Sequence, residues 1–326
     1  MTHPRRSAVA TLAALALLAG ACTSKKTDSV PTPNPAGQMQ AIFANYEAIT
    51  GAPNRIEVGL VRADNSSLSY GTVQFHFSFI GTEANPTAPQ PGPSATAKFL
   101  LVPGMQASGQ SQPSFTQPTV ARGVYEAEGV KFDRAGFWAV DVSARLADGT
   151  SQTATTKFAV TDTPAYPAPG QKAPRTQNLT LSSKNVPASA IDSRALTGGK
   201  GAIPDPELHT TTIADAIAAH HPVFVLFSTP VYCMSKFCGP VTDAVDQLAK
   251  HYADRADFVH VEIYKSYTAK KKVINQAAAD WVYRNGDLTE PWLFYVGSDG
   301  VIEDRWQNLV DLQEVAQVLQ KLPVLH

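Results

Sequence analysis

Two cysteines close together carry the most evident chemistry in this sequence: Cys233-Met-Ser-Lys-Phe-Cys238. Oxidised, such a pair forms a disulfide. Reduced, it offers two thiolates that, with Met234, suit a soft ion such as Cu(I). The chain holds 3 cysteines in 326 residues, the third being Cys22. That is too few for a disulfide scaffold or a four-thiolate zinc site. Spacing constrains the pair. Residues five apart in an ideal helix have Cα atoms roughly 8–9 Å apart, whereas a disulfide needs less than about 7 Å. If the two bond, Cys233 must precede the helix, or the first turn must be distorted. Thr229-Pro230 and Gly239-Pro240 allow for this. A thiolate at a helix N-terminus meets unpaired N–H groups and the positive dipole end, which lower its pKa, and Lys236 adds to this.

The elements that must hold these thiols begin near Ile203. Thr212 is a helix cap with Asp215 three residues on, so a helix carries Ile213, Ala216 and Ile217 inward and ends at His220-His221-Pro222. Val223–Phe227 is an unbroken apolar run, the pattern of a strand buried on both faces. The cysteine loop follows. A helix with Val241, Ala244, Val245 and Leu248 on one face comes next. Further strands are expected at Phe258–Tyr264 and Trp292–Val296, the latter turning through Ser298-Asp299-Gly300 into Val301–Trp306. A last helix spans about Asp311–Leu322.

Upstream, the period changes to two. Ile56, Val58 and Leu60 alternate with other residues, as do Val73, Phe75, Phe77 and Phe79, and Trp138, Val140, Val142, Ala144 and Leu146. Asp148-Gly149 is a hairpin turn, and Ala95–Val102 is a further strand. Half a dozen or more strands without a helix over residues 54–161 predict a β-sandwich. Asp133-Arg-Ala-Gly-Phe137 resembles the corner of immunoglobulin-like modules, with Phe137 where a hydroxyl-bearing aromatic is usual. Residues 162–202 follow as a Pro-rich linker (Pro164, Pro167, Pro169, Pro174) and an extended segment.

The formal net charge is -1, and hydrophobic residues make up 44%. With no basic excess to neutralise phosphates, nucleic acid is not an expected partner. Residues 1–21 read as a signal peptide: Arg5 and Arg6, an apolar run too short to span a bilayer, then small residues. Leu18-Ala-Gly-Ala-Cys22 resembles the bacterial lipobox, with Ala19 where a large aliphatic is usual. The resemblance implies lipidation of Cys22, a tether over 22–53, and a protein held by lipid at the extracytoplasmic face of a bacterial membrane.

Residues 203–326 resemble the thioredoxin-like superfamily. The resemblance rests on the cysteine pair after a buried strand, on Glu290-Pro291 before Trp292–Val296 (where such proteins hold a cis-proline beside the thiols), and on the hairpin through Asp299-Gly300. The expected fold is therefore multidomain: an all-β immunoglobulin-like sandwich followed by an α/β thioredoxin-like domain. The resemblance implies a thiol–disulfide oxidoreductase acting on extracytoplasmic protein thiols or disulfides, without a cofactor. Cys233 attacks, Cys238 resolves, and Pro291 presents its backbone to the substrate chain. The sequence departs from the family in having four residues between the cysteines and Leu226 where thioredoxins often carry a buried Asp. A second alignment overlays Cys238-Gly-Pro-Val241 on the Cys-Gly-Pro-Cys motif and makes Cys238 the nucleophile. Two rivals remain open. A peroxiredoxin-like peroxidase would fit Thr229-Pro-Val-Tyr-Cys233, although Thr229 is one residue early and Arg284 and Arg305 do not match the usual arginine. A copper-binding metallochaperone or binding module would need a histidine, with His251 and His260 available. His260 reads as a satisfied sheet residue. Glu262, on its face, reads as a solvated or paired carboxylate or as the proton acceptor that Leu226 does not supply.

Overall fold

The computed structural model describes residues 37–196 and 201–325; Cys22 and the signal segment lie outside them. The protein is mostly β with few helices. Nine strands come first: β1 (Gln40–Phe43), β2 (Asn54–Val61), β3 (Ser67–Ser69), β4 (Thr72–Gly81), β5 (Pro86–Leu101), β6 (Ser114–Thr116), β7 (Gly123–Val130), β8 (Gly136–Arg145) and β9 (Ser151–Val160). They form one continuous ladder, ordered β6-β3-β2-β7-β5-β4-β8-β9, with β1 beside β2. Hydrogen bonding is thus unbroken where the period-two pattern suggested two stacked sheets. The ladder closes on its own core: Phe43 of β1 stacks on Phe158 of β9, with ring centroids 4.3 Å apart. Phe75, Phe77, Val140 and Val142 are buried between them, as alternate residues of a one-sided strand must be. β5 is longer than the expected Ala95–Val102. Its added stretch holds Pro86, Pro89, Pro91 and Pro93, and pairs only with β4, so the missing N–H groups fall on an open edge.

After this come α1 (Ile213–Ala218), β10 (Val223–Ser228), α2 (Cys238–Tyr252), β11 (Asp257–Glu262), the hairpin β12 (Tyr264–Tyr267) and β13 (Lys272–Ile274), α3 (Gln276–Val282), the short pair β14 (Tyr283–Arg284) and β15 (Asp287–Leu288), β16 (Trp292–Val296), β17 (Ile302–Gln307) and α4 (Leu312–Lys321). A four-stranded mixed sheet runs β11-β10-β16-β17, with β10 parallel to β11 and antiparallel to β16. All six residues of β10 are buried, because helices cover both faces. Val223, Val225 and Phe227 meet α1 and α3 through Ile213, Ile217 and Trp281. Phe224 and Leu226 meet α2 and α4 through Val241, Val245, Val315 and Leu319. Thr212 caps α1 as expected, its Oγ1 accepting from Asp215 N–H at 3.0 Å. The helix α3 carries no apolar stripe that separates it from a loop by pattern alone, and it is an addition to the expected elements.

Two expected connectors are packed structure. The tether over 22–53 does not extend through its C-terminal part, where β1 forms and Met39 and Ala48 join the first core. Within the linker over 162–202, Tyr166 and Ala173 enter the second core, and Gly170 N–H and Ala173 N–H bond the carbonyls of Ile302 and Gly300 beside β17. Pro and Gly composition marked these stretches as irregular, which they are, but irregular backbone with satisfied hydrogen bonds can still pack.

Ala36–His326 form one compact unit, and Arg55 shows how the nine-stranded ladder is joined to the mixed sheet. Its Nη1 and Nη2 donate to the two Asp304 oxygens, each at 2.8 Å, and its Nε to Glu314 at 2.9 Å. The guanidinium lies 4.8 Å from the Trp306 ring centroid. Val102 and Val124 of the first region complete the core around Trp306 and Leu309. Breaking a buried ion pair costs roughly 3–5 kcal/mol, and partial exposure lowers that figure. Arg55→Ala is expected to destabilise by about 2–3 kcal/mol, with Arg55→Lys restoring only part because a point charge cannot make the bidentate contact. Urea titration checks this; an unchanged midpoint would show that the pairing contributes nothing.

Candidate functional site: a buried disulfide beside a buried carboxyl

Cys233 and Cys238 form a disulfide, with Cα atoms 6.0 Å apart. Cys238 is the first residue of α2, and Cys233 lies in the loop before it. This is the arrangement the spacing required of a bonded pair. Cys233 N–H bonds Thr229 O at 3.1 Å, and Cys233 Sγ lies 3.2 Å from Ser235 Oγ. Lys236, exposed, takes a left-handed φ of 64° that turns the loop back towards the helix. Arg122, from the nine-stranded region, donates to Lys236 O at 3.4 Å. On the helix side, Thr242 Oγ1 donates to Cys238 O at 2.7 Å and is bonded to Ser228 Oγ at 2.8 Å.

The disulfide is not openly displayed. Cys233 is 3% exposed and Cys238 0%: the loop folds over its own sulfurs. Met234 stands out at 94% exposure. Tyr232 stacks on Tyr267 of β12, with centroids 4.0 Å apart, so the β12–β13 hairpin flanks the loop.

Glu290 is the residue the sequence reading missed. A Glu290 carboxyl oxygen and the two sulfurs lie within 4.8 Å of one another. Burial, then the Glu262 carboxylate, pushes the Glu290 carboxyl up to about 8, so it is a neutral acid at pH 7. Its position directly before Pro291 was the available signal. Glu262 is a paired carboxylate: it accepts from Ser193 N–H at 2.9 Å and Tyr264 N–H at 3.2 Å. Burial raises its pKa as well.

The Glu290–Pro291 peptide is cis. The carbonyls of Glu290 and Pro291 each accept a hydrogen bond from elsewhere in the protein. Asn308 N–H donates to Pro291 O at 2.9 Å, as the β16–β17 register dictates. Tyr46 Oη donates to Glu290 O, and its ring packs 5.5 Å from Trp292.

The residues of the rival readings lie elsewhere. Arg305 pairs with Glu47 at 2.6 Å, and Arg284 Nε donates to Ala165 O at 2.7 Å. His251 packs edge-on to Tyr252. His260 bonds Ser228 and belongs to a second buried group with Asp192, Asp205 and His209. Among the described residues, no helix is long and apolar enough to cross a membrane.

No protein-family model and no curated protein sequence matches the chain. Among solved structures, BslA, a bacterial hydrophobin, is similar over 40% of this chain and 100% of its own, at 13% identity and a TM-score of 0.21. Murine CRIg is similar over 38% of this chain and 99% of its own, at 8% identity and a TM-score of 0.20.

Proposed function

We propose that the chain is a thiol–disulfide oxidoreductase of thioredoxin-like type. In this reading an immunoglobulin-like module precedes the redox domain, Cys22 carries a lipid that holds the protein at the extracytoplasmic membrane face, and the partners are protein thiols or disulfides there. The observation that carries the redox reading is a disulfide at the head of α2 with a neutral, buried carboxyl beside both sulfurs. The order strand, cysteine-bearing helix, parallel strand, then a proline-led antiparallel strand supports the fold assignment.

The chemistry follows from the positions. An incoming thiolate bonds to Cys233 Sγ, in the loop before α2, as the Cys233–Cys238 bond breaks. The electron pair goes to Cys238 Sγ, where the N-terminal N–H groups of α2 favour negative charge, and a more stable thiolate leaves faster. Glu290 gives Cys238 its proton. A second substrate thiol returns a proton to the Glu290 carboxylate and attacks the mixed disulfide; Cys233 leaves with the electron pair and is protonated by solvent. The substrate dithiol is oxidised and the protein reduced by two electrons. The reverse sequence reduces a substrate disulfide.

Trapping tests this. Cys238→Ser should accumulate a mixed disulfide through Cys233 when mixed with an oxidised substrate protein, visible by mass spectrometry as a reducible adduct. Cys233→Ser should form little. The opposite pattern would make Cys238 the attacking sulfur, and no adduct on either variant would refute exchange.

A further inference from the structure

We propose a second site, independent of the disulfide: a divalent transition-metal site, of zinc type, formed by Asp192, Asp205, His209 and His260. All four residues are buried, and one ligand atom from each lies within 4.8 Å of the others. They come from three places: the turn before the 3-10 segment Ser193–Leu196, the 3-10 segment Pro206–His209 with its preceding residue, and β11.

Distances favour a shared cation over hydrogen bonds. His209 Nε2 lies 3.4 Å from His260 Nδ1, 3.7 Å from Asp192 Oδ2 and 3.6 Å from Asp205 Oδ1. His260 Nδ1 lies 3.6 Å from Asp192 Oδ2. The ion-pair separations are longer than hydrogen bonds. Four ligands at about 2.0–2.2 Å from a tetrahedral zinc ion stand roughly 3.3–3.6 Å apart, which these separations approach.

The surroundings set the ligand atoms. His260 Nε2 is 2.9 Å from Ser228 Oγ and 3.2 Å from Ser228 O. The carbonyl can only accept, so Nε2 carries the proton, and the Nδ1 lone pair faces the cluster. This is the outer-shell bond that metal-binding histidines make. Asp205 Oδ1 is buried without a hydrogen-bond partner among the described residues and faces His209. Arg194 joins Asp192, Asp205 and the exposed Asp243. Within the buried group two carboxylates face one guanidinium, which leaves a net negative charge that favours a cation. The competing arrangement is a protonated His209 between the aspartates. In both arrangements His209 Nδ1 carries a proton and has no partner among the described residues, so metal titration separates the two.

Such an ion would tie Asp192, Asp205 and His209 to β11 next to the cysteine loop. Ser193 Oγ accepts from Val231 N–H at 3.2 Å, and Ser228 contacts both His260 and Thr242.

The test uses the oxidised full chain, stripped with chelator and titrated with Zn2+ or Co2+ alone. One Zn2+ per chain, an intense tetrahedral Co2+ ligand-field spectrum without thiolate charge-transfer bands, and a metal-dependent rise in the thermal midpoint are expected. His209→Ala and Asp205→Asn should each weaken binding at least about 10-fold, the lower end for loss of a metal-site group. The Cys233→Ser/Cys238→Ser double variant should bind as the parent does. If the histidine variant does not fold, the parent Co2+ spectrum and the cysteine double variant still decide. No stoichiometric metal in the parent, or binding lost with the cysteines and kept without His209, overturns the proposal and leaves the exchange reading untouched.

Discussion

Glu290→Gln is expected to slow reduction of the Cys233–Cys238 disulfide by about 100-fold at pH 6.5–7, the lower end of what a positioned proton donor contributes. Glutamine keeps the size and polarity of the neutral acid but cannot release a proton to Cys238. Because burial pushes the Glu290 carboxyl up to about 8, the donor is present below that pH and is lost above it. The ratio of parent to variant rate, normalised to the thiolate concentration of the reductant, should therefore shrink as pH rises through about 8 and approach one above about 9. Stopped-flow reduction by a small dithiol measures it. A ratio near one at pH 7, or one that does not change with pH, would remove Glu290 from the proton path. It would not touch the trapping result, which depends on the sulfurs alone.

Stability should fall by several kcal/mol between pH 5 and 8.5, and Glu126→Gln should remove much of that fall. Glu57 on β2 and Glu126 on β7 are direct cross-strand partners, and each is 1% exposed. Direct partners share a face of the ladder, so two carboxyls meet where the nine-stranded region packs on the mixed sheet. Asn308 donates to Glu57 Oε2 at 3.1 Å, whereas the Glu126 oxygens have no hydrogen-bond partner among the described residues. Burial raises both carboxyls, and Glu126 repels Glu57 further. Glu126 itself is pushed up to about 8 by burial first, with Asp311 and Glu128 adding and Arg55 and Lys98 opposing. The folded state thus holds a proton that the unfolded chain releases near 4.5. Its stabilisation is full below about 4.5 and is lost as pH rises through about 8. A shift of this size corresponds to on the order of 3–5 kcal/mol. The glutamine variant should match the parent at pH 5 and be the more stable protein at pH 8.5, by urea titration. Parallel pH profiles would show that Glu126 stays solvated or paired.

The sequence by itself determined the local elements. The period-two runs around Phe75 and Val140 became strands because a strand with one buried face must alternate. Val223–Ser228 became a fully buried central strand because an unbroken apolar run needs cover on both sides. Thr212 with Asp215 started α1. Helix geometry alone required a bonded Cys233 to stand outside α2, where it is. What only the tertiary structure decided involves residues far apart in the chain. Tyr46 reaches Glu290 across 244 positions, and Arg55 reaches Asp304 across 249. Neither leaves a periodic trace, since a single polar contact imposes no pattern on its neighbours. The same holds for the candidate functional groups. His260 looked like an ordinary sheet residue because its partners Asp192, Asp205 and His209 lie 51 or more positions away, Asp192 in the expected linker and the other two just after it. Glu290 stood in plain view beside Pro291. Only the approach of β16 to the head of α2 put its carboxyl against the sulfurs, and only burial made it an acid at neutral pH.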